Sequence, residues 1–241
     1  MPKNNFETST GGLTKYQVFP FLITLYMSIM LTSGLLSDKI IIVMGHITMA
    51  GTLVVPLLFI ISDIIAEVYG YTIAKRIILW AFISQIIFAG LCTISVHFPS
   101  PTNIPHQDTY NYVISSQLRI AGSGFLAYIV SGWLNVYIIT KWKFLLKGRY
   151  FWLRSIGSST IAEGIFTVLA VFMIQLGKLP VHDIFAIIVT SYSIKLISSL
   201  VAAFPASITV NFIKLIDKTD VYDNLAPFNP FFAANTGKSY E

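Results

Sequence analysis

Long apolar runs alternate with short polar, basic stretches along this chain. Six runs, at about 18–37, 51–70, 77–98, 119–140, 153–176 and 184–213, are each long enough to cross hydrocarbon as a helix. Between the first two lies Ile40–Ile47, uncharged after Lys39 and punctuated by Gly45 and Gly51, which predicts a re-entrant or hairpin-like element and not an overlong helix. Pro205 is expected to kink or end the membrane portion of the sixth run. The pattern predicts an all-α, polytopic membrane protein of six transmembrane helices. A polar leader (1–17) precedes the helical domain (18–213) and a polar tail (214–241), with Pro227, Pro230 and Gly237, follows it. The leader lacks a convincing cleavage site, so the first run is expected to remain as a span.

Composition agrees. Hydrophobic residues make up 55% and charged residues 11%, against about 25% charged in soluble domains, too few to cover a water-facing surface. The lipid bilayer is the expected partner. The net charge of +5 does not argue for nucleic acid, because the basic residues sit in the short stretches between runs. Six spans put twelve of them on the side of both termini: Lys3, Lys15, Lys75, Arg76 and Lys238 in the leader, the 71–76 loop and the tail, with seven more between Lys141 and Lys218. Lys39, Arg119 and Lys178 are left on the other side. This asymmetry predicts cytoplasmic termini.

Loop 97–113 is the one sizeable external loop. His97, His106 and Asp108 lie there, but their spacing matches no metal site and reads as solvated loop residues. Cys92 is the only cysteine, so neither an intramolecular disulfide nor a cysteine metal site can form. No cofactor is expected. The phosphate-binding glycine loops, the zinc-protease motif and the nucleophile elbow are all absent, which argues against nucleotide hydrolysis and protease chemistry.

The candidate chemistry lies in ionisable residues that interrupt the apolar runs, each costing several kcal/mol in hydrocarbon unless it faces protein, water or a cation. Asp63 and Glu67 stand four apart, so a helix places both carboxylates on one face. They mark a gate or coupling site towards the side of Lys75 and Arg76, or else cap a turn in the headgroup layer. Glu163 and Lys195 fall near the middles of the fifth and sixth runs, at similar depth on antiparallel neighbours. They form a natural ion pair, which either faces a substrate or only fixes helix register. Ser158, Ser159 and Thr160 precede Glu163; Ser191, Tyr192 and Ser193 precede Lys195; Phe166 lies one turn from Glu163. In the fourth run Trp133 is an interface anchor or a cavity residue, and Asn135 offers a neutral donor and acceptor.

Several segments together resemble the VUT/YhhQ family of queuosine precursor transporters. The strongest match is Pro56 with Ser62-Asp63-Ile64-Ile65-Ala66-Glu67-Val68-Tyr69-Gly70 and Ala74-Lys75-Arg76. Arg119-Ile120-Ala121 with Ala127-Tyr128, Arg154 with Ser158, Glu163 to Phe166, Tyr192 to Lys195, and Phe204-Pro205 follow in order, so the resemblance spans about 15–215. The chain departs from the pattern at Gly34, where the family has Asn. It departs again at Gly132-Trp133-Leu134-Asn135-Val136, which replaces a Q-x-x-D-V, and at Glu163, which replaces an Asp.

The resemblance implies an inner-membrane importer of 7-deazaguanine bases such as 7-cyano-7-deazaguanine, and more distantly a fold like the six-helix substrate-binding components of vitamin uptake systems. It implies substrate contacts from Glu163, Lys195, Trp133, Asn135, Phe166 and Tyr192. Gating or coupling would fall to Asp63, Glu67, Tyr69, Lys39 and Arg154. A deazaguanine suits such residues: a carboxylate accepts its adjacent N–H groups, and an aromatic face takes its flat ring. A binding component that needs a separate ATPase and a non-transport membrane scaffold are the alternative readings, and a homo-oligomer is compatible with the sequence.

Overall fold

A computed structural model describes residues 17–99 and 105–222. The leader with Lys3 and Lys15, residues 100–104 of the external loop, and the tail from 223, which holds Pro227, Pro230, Gly237 and Lys238, lie outside the described residues.

Six helical segments among these residues are long and apolar enough to cross a membrane. Helix α1 (Phe19–Leu36) leads into a hairpin of strands β1 (Ile40–Val43) and β2 (His46–Met49), then a 3-10 turn (Ala50–Leu53) and helix α2 (Val55–Tyr69). Helix α3 (Tyr71–Val96) is followed by the short α4 (Gln107–Ser115), α5 (Gln117–Leu145), α6 (Phe151–Gln175) and α7 (Val181–Asp217).

The hairpin-like reading of Ile40–Ile47 holds. Ile40 pairs with Met49 and Val43 with His46, and Met44 and Gly45 both take positive φ (50° and 82°), as a two-residue hairpin turn requires. The hydroxyls of Thr48, Thr52 and Ser191 bond one another and tie this element to α7.

Three expectations need correction. The 71–76 loop does not exist: Gly70 alone joins α2 to α3, at φ 90° and ψ 169°, a conformation open to glycine because it has no Cβ. Lys75 and Arg76 therefore sit in the first turns of α3. The external loop is partly helical, since Gln107–Ser115 forms α4. Of the two outcomes expected at Pro205, an end to the helix does not occur: α7 runs on to Asp217 with the proline inside it, where the ring removes one backbone hydrogen bond and crowds the preceding turn.

Helix α2 is the axis of the bundle. All of its fifteen residues except Leu57 are buried, consistent with its unbroken apolar run. The flanking helices carry lipid-facing residues such as Trp80, Leu91, Val201, Phe204 and Phe212, all exposed, as a bilayer requires of the outer surface. The backbone N–H groups of Gln17 and Val18 donate to Asp217 Oδ1 at 2.9 and 3.2 Å, so the start of α1 and the end of α7 share one end of the bundle. The hairpin lies at the other.

Candidate functional site

The site is built along one face of α2. Val55, Phe59, Asp63 and Glu67 follow at four-residue intervals, about 6 Å per step. Each belongs to a different layer: an open cavity, an aromatic floor, a neutral polar cluster and a charged seal.

The cavity lies at the hairpin end. Ser37, Thr52 and Val55 line it together with Gln85 of α3, Gly124 of α5 and Lys195 of α7. Its free space is about 60 Å3, room for a few water molecules. Lining residues Tyr128, Phe82 and Phe166 join Phe59 in the floor: the Tyr128 ring centre lies 5.3, 5.6 and 5.7 Å from those of Phe59, Phe82 and Phe166. Tyr26 Oη donates to Tyr128 Oη at 2.7 Å, which fixes that ring against α1.

Glu163 and Lys195 are buried at similar depth on α6 and α7, but they do not form the expected direct ion pair. Each charge instead takes a hydroxyl from the facing helix. Lys195 Nζ donates to Thr167 Oγ1 at 2.9 Å, and Ser199 Oγ donates to Glu163 Oε1 at 2.9 Å. Thr167 in turn donates to the Glu163 carbonyl at 2.6 Å, which turns its lone pairs towards the ammonium. The offset arises because the two hydroxyls stand one turn from the charges on their own helices. Glu163 Oε2 has no hydrogen-bond partner among the described residues, although the side chain is fully buried. Lys195 uses one of its three donors and stands 4.6 Å from the centre of the Phe166 ring, a cation–π contact. Of the pair, only Lys195 reaches the cavity wall.

Below the floor, Asp63 is enclosed by neutral donors. Asn135 Nδ2 donates to Oδ1 at 2.5 Å, Ser155 donates to Oδ2, and Ser159 Oγ lies 3.3 Å from Oδ2. One turn further, Glu67 meets cations. Arg154 grips it bidentately at 2.7 and 3.1 Å, and Lys214 reaches Oε1 at 2.9 Å. Lys143 donates to the Glu67 carbonyl at 2.5 Å and to Asp220 at 2.5 Å. Asp217 accepts from Tyr69 Oη at 2.5 Å. The strap 218–222 then crosses this end: Val221 N donates to Val68 O at 3.1 Å, and the Tyr222 ring lies 4.3 Å from Lys143 Nζ. Three carboxylates and three cations thus close the end opposite the cavity; Glu67, Arg154 and Lys143 are buried, where charges count for more than in water, and Asp220 and Lys214 form the partly exposed rim.

The residues expected at the site divide accordingly. Lys195 and Phe166 line the cavity. Glu163 adjoins Lys195, Asn135 holds Asp63, and Asp63, Glu67, Tyr69 and Arg154 form the closed side. Trp133 is buried in the core and does not line the cavity. Tyr192 braces α7 on α6 through its bond to Thr160 O at 3.2 Å. Lys39 is exposed at the base of the hairpin. Arg119 bonds the carbonyls of Met173 and Leu176 and so caps α6. Gln85, Thr167, Ser199, Lys143, Lys214 and Asp217 carry the site without having stood out in the sequence.

No solved structure matches the chain. A queuosine precursor transporter of Escherichia coli (strain K12) is 23% identical over 216 residues, covering 86% of this chain and 94% of that protein. The model of the putative vitamin uptake transporter family matches residues 49–210, a stretch that holds the 3-10 turn after the hairpin, both carboxylates of α2, Glu163 and Lys195. The chain, a multi-pass membrane protein, belongs to that transporter family.

Proposed function

We propose that the chain imports 7-deazaguanine queuosine precursors, 7-cyano-7-deazaguanine among them, across the cell inner membrane with both termini cytoplasmic. The observation that carries this reading is Lys195 at the cavity wall beside Glu163, whose Oε2 is buried and has no hydrogen-bond partner among the described residues. A guanine-like edge presents an acceptor, O6, next to two donors, N1–H and the 2-amino group. An ammonium and a carboxylate side by side complement that order. Burying a carboxylate oxygen without a donor is costly, so a ligand that supplies the N–H groups recovers that cost. The aromatic floor of Phe82, Tyr128 and Phe166 suits a flat ring. The substrate named for the Escherichia coli relative supports the same class.

Entry of the base moves flexible side chains such as Met30, which lines the cavity, and brings Glu163 into contact. Orientation follows from charge: Lys39, Arg119 and Lys178 lie at the cavity end, whereas Lys141, Lys147, Arg149, Lys214 and Lys218 lie at the sealed end with Lys75 and Arg76. With the basic end cytoplasmic, the sealed end faces inward and the cavity end outward. Uptake of labelled 7-cyano-7-deazaguanine by cells unable to make it tests the proposal. Cells carrying the chain should accumulate the label in their transfer RNA; equal labelling with and without the chain would refute it.

A further inference from the structure

Gln85 lies opposite the charged pair. It is 3% exposed, it lines the cavity, and its Oε1 has no hydrogen-bond partner among the described residues. A carboxamide left so in an apolar helix is expensive. Two facts point it at a ligand. First, α3 packs on α1, α2 and α5, while α7 packs on α6, α2 and the hairpin, so Gln85 and Lys195 face the cavity from different walls. Second, the amide is held against Gly34 of α1: a Cβ built there would stand 2.5 Å from Gln85 Nε2. Any side chain at position 34 would push the amide away. The glycine at 34, where the resembled family has Asn, is thus what allows Gln85 to occupy its place.

We infer that the Gln85 amide reads the edge of the base remote from Lys195 and Glu163, pairing with N9–H and N3, and so selects free bases over N9-substituted ones. This inference rests on the proposed substrate class. A 7-deazaguanine held by its O6 and N1–H edge turns N3, an acceptor, and N9–H, a donor, towards the opposite wall. A carboxamide offers the matching acceptor and donor side by side. A nucleoside has lost the N9 proton and carries a sugar in its place. The amide then faces a group that cannot bond it, a mismatch that buried polar sites reject strongly.

The test is competition binding to the purified full chain in detergent, with 7-cyano-7-deazaguanine and its N9-methyl derivative as probes. The parent should prefer the free base by roughly tenfold or more. Gln85→Leu should weaken the free base and leave the N9-methyl compound nearly unchanged, shrinking the preference to about twofold. Gly34→Ala leaves Gln85 in the chain and displaces only the flexible end of its side chain, so it should shrink the preference in the same way and decides the matter if the leucine variant does not fold. A preference that survives in the folded variants, or is absent from the parent, overturns the role of Gln85 and leaves the proposed function standing. A parent that binds neither compound overturns both.

Discussion

Glu163 and Glu67 are both buried glutamates, yet their surroundings separate their roles. Glu67 is saturated by Arg154 and Lys214, whereas Glu163 has one oxygen bonded by Ser199 and the other without a partner among the described residues. Removing one partner of a buried ion pair leaves the other charge uncompensated, at about 3–5 kcal/mol. Glu67→Gln should therefore lower the melting temperature markedly as well as transport. Adding Arg154→Met to it should recover part of the stability, and a double mutant less stable than the sum of the two single effects would contradict the pairing. Glu163→Gln keeps the shape and the Ser199 contact. It should weaken base binding by about 1.5–3 kcal/mol, as for one charged hydrogen bond, with little loss of melting temperature. Equal binding by Glu163→Gln and the parent would move the site elsewhere. These glutamates were legible in the sequence because a charge inside an apolar run is conspicuous by itself. Their partners were not: Thr167, Ser199 and Gln85 are ordinary residues of a membrane helix, and only the packing of α3, α6 and α7 shows which way they face. Lys143 and Lys214 sat among basic residues already accounted for by sidedness, so nothing singled them out.

The turns between elements were harder to read than the elements. Each of the six span-length apolar runs is helical, because the bilayer leaves the backbone no other way to satisfy its hydrogen bonds within one segment. The ends shifted where polar residues proved able to stay helical by folding back on the protein. Lys75 is buried in the first turns of α3 with its ammonium over the Tyr71 ring, and Lys143 extends α5 by donating to the carbonyl of Glu67. Gly70 is the one residue between α2 and α3, and its φ of 90° excludes a Cβ without strain. Gly70→Ala should cost on the order of 1–3 kcal/mol, read as a lower melting temperature. Gly90→Ala is the control: its added methyl meets nothing within 4 Å, so the better helix propensity of alanine should leave stability equal or higher. If both variants melt alike, the sharp link at Gly70 is not what sets the α2–α3 geometry.

At the scale of the molecule, one end is open and lightly charged, and the other is shut by ion pairs and the 218–222 strap. On the proposed function, transport reverses this asymmetry: the seal around Glu67 comes apart while the cavity closes. Sidedness is the first check. A reporter active only outside the cytoplasm, fused at the C-terminus, should stay silent, and a strong signal would invert the orientation. The proposed carriage of a 7-deazaguanine base by Lys195 and Glu163 is tested by the flux of labelled 7-cyano-7-deazaguanine into sealed vesicles that contain the purified chain and no other protein. Saturable entry that unlabelled base competes away, and that Glu163→Gln and Lys195→Met each reduce sharply, is the predicted result. Entry no faster than into empty vesicles, or entry indifferent to both substitutions, would contradict it.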